Sequence, residues 1–240
     1  MIRNLFAAAG LTVLALPVAA SEWRGQITSY VWATGLGGDI TPFTGAPTIS
    51  FDKSFSDLME DLDGAFFLSG YARRDRLVVM GDFSWSSSSK SGRISPGVPA
   101  EGKLSQTSLT MLAGYRAMTD ARLALDLLAG ARVWSVKGSV SAAGGALTSS
   151  PSEGVVDPIL ALRANVRLAP RWSALVYLDF GGFGVGSEQT GQIVATANYQ
   201  VNDSLYLSAG YRHLSFDYRS GGTRMDVTMS GPLVGLTWRF

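Results

Sequence analysis

Polarity alternates with a period of two along most of this chain, and that period decides what it can fold into. In 171–182, Trp172, Ala174, Val176, Leu178 and Phe180 share one parity, while Ser173, Tyr177 and Asp179 share the other. In 155–168, Pro158, Leu160, Leu162, Ala164, Val166 and Leu168 oppose Asp157, Arg163, Asn165 and Arg167. The same split separates Leu77, Val79, Phe83 and Trp85 from Val78, Met80, Asp82 and Ser84, and Ile193, Ala195, Ala197, Tyr199 and Val201 from Gln192, Thr196, Asn198 and Gln200. Side chains of a strand point alternately to its two faces, so each stretch reads as a strand with one apolar and one polar wall. Ten such segments can be drawn, at 23–35, 65–74, 76–86, 104–117, 121–140, 155–168, 171–182, 190–201, 204–218 and 225–240.

The connections sharpen this reading. Arg74-Asp75, Met118-Thr119-Asp120, Ala169-Pro170 and Val201-Asn202-Asp203 are tight turns with turn-forming residues. Between them fall longer stretches: Gly35 to Gly64, Ser86 to Lys103 and Ser141 to Gly154, with moderate ones at Gly184–Gln189 and Arg219–Arg224. Short turns on one side and long loops on the other, with an even number of strands, is the pattern of a transmembrane barrel. We therefore expect an all-β fold: a single closed antiparallel transmembrane β-barrel of about ten strands. Eight or twelve would follow if 35–64 or 121–140 divided differently. Two aromatic belts are expected, with Tyr71, Tyr115, Trp172, Tyr199, Trp238 and Phe240 near the short turns and Trp32, Trp85, Trp134, Phe180 and Phe216 toward the loops.

Other features narrow the class. Residues 1–20 have the layout of a secretory signal peptide: Arg3, an uncharged apolar run from Leu5 to Leu16, and Val18-Ala19-Ala20 before the expected cut at Ser21. The barrel would then occupy 21–240. No later apolar run approaches the ~20 residues of a spanning helix, so a membrane-embedded chain must cross with strands. The whole chain has 20 basic and 19 acidic residues, and losing Arg3 brings them level. That balance argues against nucleic acid as a partner. With no cysteine, disulfides and thiolate metal sites are excluded. No cofactor or metal site is expected.

The last strand carries its own message. Val234, Leu236, Trp238 and Phe240 share one face, and Leu233, Gly235, Thr237 and Arg239 the other. Gly235, Trp238 and Phe240 resemble the C-terminal signal read by barrel-assembly machinery, with Leu233 where that signal usually has a polar residue. Together with Tyr30-Val31-Trp32-Ala33-Thr34-Gly35-Leu36-Gly37-Gly38, Gly210-Tyr211-Arg212, Asp217-Tyr218 and the run from Ser230 through Pro232, this ending resembles a group of uncharacterised proteobacterial outer-membrane β-barrel proteins. The resemblance implies export to the bacterial outer membrane, with outer-membrane lipids, lipopolysaccharide and the assembly machinery as partners. It implies no substrate.

Several residue sets are candidates for function. Asp82, Asp126, Asp157 and Asp179 share the inward parity with Arg132, Arg163, Arg167, Arg212 and Arg239, a charge network that can pair and fill the lumen or line a thin channel. A barrel of ~8 strands is just filled by its side chains, and ten lies near that end. The expectation is a structural or narrow small-solute permeability role, with a mostly filled lumen and no catalysis. A second candidate is the stretch Ser54–Leu62, where Phe55, Leu58, Met59 and Leu62 fall at helical spacing behind a Ser54 cap. This short helix, in the first extracellular loop, would serve as a lid, a plug, a divalent-cation site or merely a packed rim. A third is His213 with Ser215 two residues on, which resembles the strand pair of the outer-membrane lipid A deacylases. A base beside a hydroxyl could activate it for acyl transfer, making a lipid-facing esterase the alternative, although only Asp217 and Asp226 are at hand to orient the imidazole. Finally, Arg73, Arg74, Arg76, Arg116, Arg122 and Arg171 cluster around the short turns, where they would meet lipid phosphates.

Overall fold

The computed structural model describes residues 22–41, 43–95, 98–142, 147–149 and 152–240. The expected signal peptide lies outside them. The chain forms β1 (Arg24–Trp32), β2 (Gly35–Thr41), β3 (Ile49–Lys53), α1 (Phe55–Glu60), β4 (Leu62–Arg74), β5 (Leu77–Ser95), β6 (Val98–Thr119) and β7 (Leu123–Ala142). It continues with β8 (Leu147–Ser149), β9 (Ser152–Ala169), β10 (Trp172–Gly182), β11 (Gln189–Gln200), β12 (Leu205–Ser220) and β13 (Thr223–Arg239). Strands run β1-β4-β5-β6-β7-β9-β10-β11-β12-β13, and β13 pairs back onto β1, closing a ten-stranded antiparallel barrel. The strands β2, β3 and β8 lie outside this ring as extensions of it.

Register shows that the strands are tilted. From Gly235, stepping through Tyr30, Phe67, Ser84 and Ser108 reaches Trp134 on β7. From its neighbour Val234, stepping the other way through Ala209, Ala197, Ala174 and Val166 reaches Leu123 on the same strand. A ladder that returns displaced along its own strand is the stagger a tilted barrel requires.

The outer wall is apolar. Leu77, Met111, Leu127, Leu160, Leu178, Ile193, Val234 and Leu236 are all exposed, and among the described residues exposed large hydrophobics outnumber buried ones. A soluble monomer rarely shows a continuous apolar surface of more than a few hundred Å². Aromatics border this belt, with Tyr115, Trp172, Trp238 and Phe240 near the short turns and Trp85 and Phe180 toward the loops. Four of the aromatics expected in the belts lie elsewhere. Trp32 and Trp134 are buried and pack in the interior with Phe216 as a neighbour, and Tyr71 points inward to Asp126. Each shares its strand's luminal parity, which outweighs its position near a strand end.

Two local features explain departures in length. The segment 23–35 proves to be β1 and the start of β2 in a single register along β13, with Trp32 opposite Leu233 and Gly35 opposite Ser230. The break between them faces Pro232, which accepts from the Ala33 N–H at 2.9 Å but has no N–H to return. The stretches 86–103 and 219–224, expected as connections, are largely strand: β5 and β6 stay paired from Leu77–Tyr115 up to Ser95–Val98, and β12 turns into β13 through Gly221-Gly222 alone, both at positive φ. That turn suits two glycines because a tight hairpin needs φ > 0 at both central positions. The helix is shorter than Ser54–Leu62, because Leu62 already begins β4. Ser54 caps it, with Asp57 completing a capping box, and none of its residues is buried.

Candidate luminal site

Three clusters of charge stack inside the barrel. Farthest toward the loops, Arg132 is ion-paired with Asp179. Its Nε donates to Thr110 Oγ1 at 2.9 Å and its Nη1 to Thr190 Oγ1 at 3.3 Å, while Tyr177 donates to Asp179 at 2.7 Å. Next, Arg212 donates to Asp82 at 3.2 Å, Gln192 at 2.6 Å and the Tyr30 hydroxyl at 2.5 Å, and Tyr30 donates on to Asp82 at 2.8 Å. The Arg212 guanidinium also lies 4.6 Å from the Trp32 ring centre. Nearest the short turns, Asp126 accepts from Arg116, from Arg163 at 3.3 Å and from Tyr71 at 3.2 Å, and Arg163 stacks 4.1 Å from the Tyr71 ring. Removing one member of such a pair leaves a buried charge without compensation, which is far costlier than a surface pair.

Backbone geometry makes room for these long side chains. A Cβ at the luminal Gly130 would stand 2.0 Å from the Met111 carbonyl oxygen, and one at Gly210 2.0 Å from that of Ala195. Glycine next to Arg132 and Arg212 on the same face lets neighbouring strands close in where the guanidinium groups cross.

The nine charged residues expected in the lumen divide accordingly. Asp82 and Arg212, Asp179 and Arg132, and Asp126 and Arg163 are brought together. Asp157 is fully buried and accepts from the Ser187 backbone N–H at 2.6 Å, but its Oδ2 has no partner among the described residues. Arg132 stands directly opposite it in register yet turns to Asp179. Arg167 and Arg239 are exposed at the short-turn mouth, where Arg239 donates to the Tyr206 hydroxyl at 2.9 Å. Arg116, expected in the outer basic ring, instead pairs inward with Asp126. A bulge between Arg116 and Met118 shifts the register beyond it, which obscures the parity that would have revealed this.

Apolar side chains complete the filling. Val78, Leu112, Leu128, Ile159, Ala161 and Tyr177 form one buried cluster, and Trp32, Trp134, Val155, Leu214, Tyr218, Met229 and Leu233 form another at the loop end. The lumen is thus mixed where the alternation suggested a polar one. The lumen also holds a cavity of about 120 Å³ whose walls include Gln26, Thr28, Ser173, Asn198, Ser208 and Thr237. It runs from the exposed Arg239 to a ceiling containing Arg212, Gln192 and Tyr177.

On the outer face, His213 Nδ1 lies 2.5 Å from Ser230 Oγ on the next strand. Ser215 Oγ instead donates to the Gly191 carbonyl at 3.5 Å. Asp217 is engaged by Arg219. The residues of the final strand keep the expected faces: Trp238 and Phe240 are exposed outward and Gly235 lines the cavity.

The sequence matches no protein-family model and no curated protein. Solved structures do match in shape. The outer membrane protease OmpT of Escherichia coli superposes with a TM-score of 0.57 at 12% identity, covering 95% of this chain and 99% of that one. The translocator domain of the autotransporter NalP of Neisseria meningitidis gives 0.48 at 15% identity, covering 92% and 90%. The Yersinia pestis attachment invasion locus protein Ail gives 0.35 at 12% identity, covering 92% and 100%. With its closed ten-stranded ring, its apolar outer wall and its likeness to OmpT, this chain has the fold of a bacterial outer-membrane β-barrel.

Proposed function

We propose that the protein is an exported, integral outer-membrane barrel with a structural or narrow small-solute permeability role and no catalytic one, its lumen mostly filled by paired charges and aromatic side chains. The observation that carries this reading is the stack of Arg132–Asp179 and Arg212–Asp82 beneath the buried Trp32 and Trp134. Together these groups occupy the lumen between the cavity and the loops. The apolar belt would contact outer-membrane lipid and lipopolysaccharide, and Gly235, Trp238 and Phe240 would be read by the barrel-assembly machinery. An esterase built on His213 and Ser215 draws no support from the geometry, since the imidazole is engaged by Ser230.

Planar-bilayer recording of the purified barrel tests the proposal. Wild type is expected to show no steady single-channel steps, and Trp32→Ala with Trp134→Ala is expected to introduce them. Reproducible steps in wild type would overturn the filled-lumen reading. Heat-modifiable migration in detergent gels supplies the control that each variant remains a folded barrel.

A further inference from the structure

The cavity at the short-turn end has a charge that the rest of the lumen lacks. Farther in, Arg132 is matched by Asp179 and Arg212 by Asp82. Toward the mouth, Asp126 is shared by Arg116 and Arg163, one carboxylate between two guanidinium groups. Arg167 and Arg239 on the same inward face have no acidic partner in any ion pair among the described residues. The short-turn half of the lumen therefore carries excess positive charge inside low-dielectric walls, a geometry that concentrates anions. Arg212, 4% exposed, forms part of the ceiling, where Asp82, Gln192 and Tyr30 hold its guanidinium. The walls between these arginines carry hydroxyl and amide groups, among them Thr28, Ser173, Asn198 and Thr237, beside the apolar Leu175 and Val194 and the carboxylate of Asp82, which is paired with Arg212. At about 120 Å³, the space is several times the ~10–15 Å³ that one water needs, so it admits a small multi-atom ligand.

We propose that this vestibule is a binding site for a small, freely diffusing carboxylate anion, entering at the short-turn mouth and held by Arg163 and Arg239. The proposal deepens the filled-lumen reading and rests on it, because the closed ceiling makes the vestibule a blind pocket instead of a segment of a pore. Guanidinium groups suit carboxylates because they offer paired, always-charged donors. The hydroxyl and amide groups of the walls solvate the remainder of the ligand, and Asp82 is already matched by Arg212.

Isothermal titration calorimetry of the intact barrel in detergent tests it, with succinate as the probe, 1,4-butanediol as its uncharged counterpart and inorganic phosphate as a small anion of other chemistry. Succinate is expected to bind with a Kd of about 1 mM or tighter, equivalent to at least ~4 kcal/mol, and more weakly as salt is added. Butanediol is expected to give no binding, and phosphate weaker binding than succinate. Arg163→Gln and Arg239→Gln are each expected to weaken succinate by roughly tenfold or more, while Arg224→Gln on the outer rim leaves it unchanged. Arg163→Gln keeps Asp126 paired with Arg116. Arg239, at the exposed mouth, makes hydrogen-bond and ring contacts with only one side chain among the described residues, the hydroxyl and ring of Tyr206, so that variant stays informative if the first fails to fold. No succinate binding, equal binding of butanediol, phosphate binding tighter than succinate, or indifference to both Arg variants would overturn the proposal. Conductance read on the same preparation separates this failure from that of the filled lumen: steps in wild type sink the latter, whereas missing succinate heat without steps sinks only the carboxylate site.

Discussion

At the loop end of the lumen, each guanidinium has its carboxylate and the space between is filled by indoles and aliphatic side chains. At the short-turn end, guanidinium groups outnumber carboxylates and a cavity remains. The same ten strands wall both halves, so the difference lies chiefly in which side chains occupy the inward parity. Large residues at the loop end, Trp32, Trp134, Leu214 and Tyr218, take the places held near the mouth by Thr28, Ser173, Ser208 and Thr237. One barrel wall can thus carry a plug and a pocket in series, and the two halves should respond differently to substitution.

The sharpest contrast is expected at Arg132. Removing it leaves Asp179 buried with only the Tyr177 hydroxyl, and Arg132→Ala should cost about 3–5 kcal/mol. Urea unfolding in lipid vesicles reads this as a lowered midpoint, and a loss below ~1 kcal/mol would break the view of the loop half as a tightly coupled plug. Arg116→Ala at the other end is expected to cost less, about 1.5–3 kcal/mol, the worth of charged hydrogen bonds, since Asp126 keeps Arg163. An equal or larger loss than at Arg132 would erase the distinction between the halves.

The smallest effect lies outside the wall. Asp120, in the turn between β6 and β7, accepts from the backbone N–H groups of Arg122 and Leu123, each at 2.7 Å. These bonds hold its carboxyl below the usual aspartate range. Asp57, held low chiefly by the Ser54 hydroxyl, behaves alike in the cap of α1. A carboxyl depressed by folding contributes stability at neutral pH and above, and loses it as pH falls through its folded-state titration. Acidification should therefore loosen this turn and this cap while the barrel stays closed. A carboxyl NMR titration reads the effect, and an Asp120 midpoint at or above that of a model peptide would contradict it.

Strand parity made much of the barrel legible from sequence. The faces of 155–168 and 171–182 and the outward Trp238 and Phe240 follow from period two, and the tight turns from their turn-forming residues. Other parts depend on what lies across the sheet. Ser86 to Ser89 has loop-like composition, yet β6 pairs with it residue by residue, because a strand can run past an apolar belt as long as its ladder continues. Trp134 had the parity of Arg132 and belonged inside with it, but its place near the strand end suggested the belt. The partners of a given carboxylate were least legible. Asp126 meets Arg163 across one ladder and Arg116 across another, while Asp157 faces Arg132 and loses it to Asp179. Such choices are settled by side-chain reach across the lumen, which spacing along one strand does not encode.

The missing N–H of Pro232 has a consequence for how the cylinder comes together. The other ring pairings follow the order of the strands along the chain, but the seam between β1 and β13 joins the two ends of the fold, as in the contact of Thr28 with Thr237 across 209 positions. Bringing such distant segments together costs the most chain entropy of any step. The seam is also the ladder in which the proline removes a rung, beside Ala33 and Thr34. The junction with the highest chain-entropy cost is therefore also a weakened one, and a residue with an N–H at position 232 should accelerate closure of the ring.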